Sequence, residues 1–151
     1  MSLLFQTRGG TFEQRWIYYA MLRDNVQHHL EGGAPGEAFS ALHAVARVLS
    51  AGRVAVPAAK LRGELARVRD EVLALPMSEF AVSLRTNAVI SVAWPLPERR
   101  DTMLIRDASS THIPIDPSMK TLGDAFGHMV ESLLRLTEGA ADDDVVEVLD
   151  V

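Results

Sequence analysis

At Pro76 the apolar residues of this chain change their period, and that break constrains the fold more than any other feature of the sequence. Upstream, they recur every three or four residues, as one face of a helix requires. Downstream, the run "EFAVSLRTNAVISVAWPL" is rich in β-branched and aromatic residues, which suit strands. A chain that carries helices first and mostly strands afterwards belongs to the α+β class.

Three helices are predicted before the break. The first is "TFEQRWIYYAMLRDNVQHHLEGG", with Thr11 as N-cap, Gln14 closing a capping box and Gly32–Gly33 ending it. Phe12, Trp16, Tyr19, Leu22, Val26 and Leu30 form its apolar face, and Ile17 and Met21 lie on the far side. The second, "APGEAFSALHAVARVLSAG", is entered through Pro35 and stops at Gly52. Its stripe is Ala38, Ala41, Leu42, Val45, Val48 and Leu49, with His43 facing away. A short "VAV" leads to the third, which starts at Pro57 and carries Leu61, Leu65, Val68, Val72 and Leu75. Lys60–Glu64 and Arg67–Glu71 are expected to pair along its outer face.

After the break, "TMLIRD" and "THIPI" are predicted to form a hairpin, and Asp116 or Thr121 to cap a last helix running to about Glu138. Residues 79–86 fit a helix as well as a strand. The expected architecture is a single α+β domain over residues 1–151. Residues 1–75 make a three-helix layer, and 76–138 supply a small, mainly antiparallel sheet and a C-terminal helix. Residues 139–151 form an acidic tail able to pair as an edge strand.

Composition closes several functional classes. With no cysteine, thiolate metal sites and a thiol nucleophile are excluded. No apolar run approaches the roughly 18 residues that a membrane span needs. The N-terminus "MSLLFQTRGG" has neither the basic nor the apolar region of a signal peptide, so a cytoplasmic setting is expected. The net charge of −5 resides in the tail, where Glu138 to Val151 holds acids and no Lys or Arg. The near-neutral body offers no basic stripe, so neither nucleic acid nor a membrane is an expected partner.

Candidate sites are few. His28 and His29 are adjacent, about 100° apart on a helix, and read as a helix end rather than as ligands. Asp124, His128 and Glu131 share one face of the last helix at i, i+4 and i+7. This is the best metal-like spacing in the chain, although a solvated face is the simpler reading and no metal or other cofactor is expected. "SSTHIPID" lacks the elbow of a hydrolase nucleophile, and "RGGTF" is no phosphate loop but a capped turn, so no catalytic residues are assigned. Five of the nine aromatic residues fall within the first 19 positions. Phe12, Trp16, Tyr18 and Tyr19 are therefore the expected contact residues of a non-enzymatic interaction module, such as a subunit, adaptor or inhibitor-like partner. Such a module binds another protein or itself. The alternative is a small-ligand sensor or small enzyme, with Arg85, Trp94 and His112 lining a pocket between sheet and helices.

Overall fold

The structure is a computed structural model of the 151-residue chain. It describes residues 1–80 and 119–151, together with the backbone of 91–93, 102–106 and 112–114. The class is α+β, as the change of period implies.

Its principal sheet comes from parts of the chain that periodicity assigned elsewhere. Strand β1 (Ser2–Thr7) and strand β2 (Gly10–Arg15) form an N-terminal hairpin, with Phe5 opposite Phe12 and Thr7 opposite Gly10. The expected helix start at Thr11 is thus a strand. Helix α1 begins only at Trp16 and runs to Leu30. The reason is local: Phe12, Gln14 and Trp16 also satisfy a period of two, and Gly10 at φ 138° supplies a turn geometry that a side chain would resist. Gly32 and Gly33, both at positive φ, end α1 as expected, and Gly33 N–H reaches the Gln27 carbonyl at 2.8 Å.

The predicted second helix is broken into short pieces. Helix α2 (Ser40–Ala44) and helix α3 (Val48–Ala51) are separated and preceded by single 3-10 turns, and Gly52 at φ 74° stops the run. The linking "VAV" is a true strand, β3 (Arg53–Pro57), and helix α4 (Ala58–Glu71) follows at once. The strands β4 (Ser91–Ala93), β5 (Thr102–Arg106) and β6 (His112–Pro114) form a separate antiparallel sheet in that order, so the predicted hairpin is present. Helix α5 (Leu122–Leu136) is capped by Thr121 with a complete capping box.

Strand β7 (Val145–Asp150) corrects the reading of the acidic tail. It is not an edge strand. The order of the principal sheet is β2-β1-β7-β3, and β7 pairs antiparallel with β1 on one side and β3 on the other. Alternation then divides the sheet: Leu3, Phe5, Val56, Val146 and Val148 point into the core. There they meet Tyr19, Leu22 and Val26 of α1, Leu42 of α2, Leu61, Leu65 and Val68 of α4, and Phe126, Val130 and Leu133 of α5. The helices cover this one face, and residues 1–75 are a mixed unit rather than a helical one.

Candidate functional site

The expected aromatic contact surface is largely the protein's own core. Tyr19 is fully buried, and Trp16 is 6% exposed. Tyr19 lies 5.9 Å from Phe5 and 6.1 Å from Trp16, ring centre to ring centre, and donates its hydroxyl to the Leu42 carbonyl at 2.6 Å. Burial pushes its phenol far up, so it is neutral and a donor. The Arg23 guanidinium sits 5.4 Å over the Trp16 ring. Only Phe12 and Tyr18 of the four keep partial exposure, and Phe12 leans on Phe5 and, edge-on, on His128. Rings of this size fill the angle between an N-terminal hairpin and the first helix, which is why they cluster in the sequence.

Asp124, His128 and Glu131 are not gathered into a centre. The Asp124 carboxylate accepts from Lys120 N–H at 2.7 Å and Thr121 N–H at 3.1 Å, and these backbone bonds hold it below the usual carboxylate range. It is an exposed helix cap. Among the described residues, no group of three His, Cys, Asp or Glu side chains is placed to hold a metal ion. His28 and His29 stand edge-on at 4.8 Å, and His29 Nε2 is 2.7 Å from the Glu79 carbonyl oxygen, a contact that ties the end of α1 to the chain beyond α4. Arg85 and Trp94 lie outside the described residues. His112 is located only by its backbone, on β6, so the ligand-pocket trio also falls outside.

A polar layer that the sequence reading missed runs between α1, α2 and α4. Glu64, expected on the outer face, is 6% exposed. Its two oxygens accept from Leu42 N–H at 2.9 Å and Ala41 N–H at 3.2 Å. Helix α2 has no side-chain cap of its own, so a residue of α4 caps it across the interface. Burial outweighs those two bonds and raises the Glu64 carboxyl above its ordinary value. Nearby, Glu31 accepts from Gly36 N–H at 2.5 Å and contacts His43 Nε2 at 2.6 Å. His43, predicted to face solvent, is thereby drawn inward. Its Nδ1 is buried and unpartnered among the described residues, so this carboxylate–imidazole pair has no ring nitrogen open to a substrate and acts as a clamp on the loop after α1. The spacing did carry a sign: Glu64 falls between Leu61 and Leu65 on the buried stripe of α4.

A cavity of about 610 Å³ opens between the β1–β2 turn, the C-terminus of α5 and the loop into β7. Arg8 and Arg135 line it together with Glu138, Asp143, Asp144 and Glu147. Its walls carry both signs of charge, unlike the mostly apolar, enclosed pockets that hold small ligands.

The outer face of the principal sheet is different in kind. Register places Glu13, Leu4, Leu149 and Arg53 side by side in one row across the four strands. The next row is Thr11, Gln6, Glu147 and Ala55. Leu4 and Leu149 remain half-exposed, and Val145 and Val151 are 47% and 57% exposed. These two valines are among only four large apolar side chains exposed among the described residues. Charged groups flank the apolar centre, with Arg53 pairing with Glu147 at 2.6 Å. No helix among the described residues is long and apolar enough to cross a membrane. No protein family model, curated protein or solved structure matches the chain.

Proposed function

We propose that the protein is a non-enzymatic interaction module that contacts its partner through the outer face of the sheet β2-β1-β7-β3. The observation that supports this is the half-exposed strip Leu4–Leu149, with exposed Val145 and Val151, which lies between charged residues and is covered by none of the described helices. An apolar centre inside a polar rim is the anatomy of a protein interface. The contact surface is therefore moved from the aromatic residues of the first helix, which the core absorbs, to the opposite side of the sheet. A cytoplasmic setting remains part of this proposal.

The test is Leu149→Glu, which puts a charge at the centre of the strip. Leu149 is half-exposed, so the variant is expected to keep its far-ultraviolet circular dichroism and to melt cooperatively. Full-length wild type and variant are then compared by affinity capture and light scattering. Loss of an associated chain, whether a copy or another protein, supports the reading. Retention of every associate by a folded variant refutes it.

A further inference from the structure

We infer that the partner of this sheet face is a second copy of the same chain, packed face to face about a two-fold axis parallel to the strands. This rests on the interaction reading above and names its partner. The order of residues across the sheet is self-complementary. The row Glu13–Leu4–Leu149–Arg53 reads negative, apolar, apolar, positive. An axis midway between β1 and β7 reverses that row over itself. Glu13 then meets Arg53 of the second copy, and Leu4 meets its Leu149, with each contact made twice. The neighbouring row behaves in the same way: Gln6, with an amide donor, falls over Glu147 of the second copy, and Thr11 falls over Ala55. An axis along the row would instead stack Glu13 on Glu13 and Arg53 on Arg53. Charge thus selects the axis parallel to the strands over the axis along the row, while both keep the strands of the two copies aligned.

The groups are available for this. Glu13 and Arg53 are exposed, and Glu13 forms no ion pair among the described residues. Arg53 uses one terminal nitrogen on Glu147 and keeps further donors for a second carboxylate. Side chains of this length reach across the ~10 Å that separates packed sheets. Four strands about 4.8 Å apart and roughly 20 Å long present a face of about 400 Å², some half of the ~800 Å² that each partner of a stable complex covers. The dimer is accordingly weak, with a dissociation constant on the order of micromolar or above.

The test is sedimentation of full-length wild type, Glu13→Arg, Arg53→Glu and the double variant from about 1 µM to about 500 µM, a range that brackets the weak association expected from the area. Both substituted positions are exposed, and because Arg53→Glu also loses the pair with Glu147, a cooperative melt is confirmed for each variant before sedimentation. Wild type is expected to pass from monomer to dimer. Each single variant, with two like-charge contacts per dimer, weakens association about tenfold or more, and the double variant returns to within about threefold of wild type. Mixing the two single variants gives the strongest readout, since both rim contacts become attractive and a heterodimer forms from two weak self-associators. A wild type that stays monomeric throughout overturns the inference, as do single variants that dimerise unchanged. If the monomeric chain captures a different protein that Leu149→Glu loses, only the second copy is refuted. If Leu149→Glu alters no association, the interaction surface falls with it.

Discussion

Replacing Glu64 tests whether one buried carboxylate organises the contact between α2 and α4. In Glu64→Ala, the N–H groups of Ala41 and Leu42 lose their acceptor, and both residues are buried, at 3% and 0% exposure. An unmade hydrogen bond of this kind costs about 1–3 kcal/mol. Two of them, partly offset by relief of the desolvated carboxylate, amount to about 3 kcal/mol, or a fall in Tm of roughly 6–12 °C for a chain of this size. Glu64→Gln keeps one acceptor oxygen but turns an amide donor toward the second N–H, so it is expected to melt between the two, roughly 3–6 °C below wild type at neutral pH. The pH dependence separates it from wild type. Because the Glu64 carboxyl is raised in the folded protein, its contribution is fully present below its unfolded value and is lost as pH rises through its folded value. Wild type should therefore lose stability relative to Glu64→Gln as the pH climbs out of the acid range. Urea titrations of the three proteins across that range measure this. Parallel curves for wild type and Glu64→Gln, or an alanine variant as stable as wild type, would refute the account of Glu64 as a desolvated cap.

Other perturbations have equally definite outcomes. Tyr19→Phe leaves the buried Leu42 carbonyl without its donor and should cost about 1–2 kcal/mol in urea unfolding. Gly123→Ala would place its methyl 2.9 Å from the Leu73 carbonyl oxygen, at the point where α5 starts against the end of α4. Overpacking against backbone predicts a loss of about 1–3 kcal/mol in the same assay. The Asp124 cap, lowered in the folded state, gives stability that is present above its ordinary value and disappears as pH falls through its folded value. Asp124→Asn should flatten that acid limb in thermal melts. Deleting Val145–Val151 removes a strand paired on both sides, so the truncated chain should show no cooperative melt by circular dichroism; a detachable tail would leave the melt intact.

What periodicity could reveal, and what it could not, follows from the size of each element. Helices α4 and α5 are long and single-faced, and α5 carries a full capping box, so the stripe from Leu61 to Val68 was legible in the sequence and Thr121 stood as one of two candidate caps. The β1–β2 hairpin was not, because Phe12 and Trp16 fit both a helical and an alternating pattern, and a strand of six residues offers too few positions to decide. The same holds for β3, hidden in "VAV". Strand β7 was recognisable as a strand but not as a central one. Pairing is a long-range property, and acidic residues concealed the alternation of Val146 and Val148. The polar layer was partly visible in the placement of Glu64 within an apolar stripe. The outer face became visible only with register, since Glu13, Leu4, Leu149 and Arg53 come from four distant segments.

The pairing of β1 with β7 also shapes how the molecule reaches its fold. Leu3 lies beside Asp150, and Ser2 and Val151 exchange backbone hydrogen bonds, so the two strands are a hairpin that lacks only its turn. As the chain is made, β1 and β3 emerge early yet have no strand to stand between them until residue 145 and beyond arrive. Closing that loop sets a large entropic barrier, and such non-local pairing folds slowly. A short linker joining residue 151 to residue 1, with the chain reopened in the exposed turn at Gly32–Gly36, would turn this most distant contact into the most local one. The circular permutant should keep the same sheet and reach it faster.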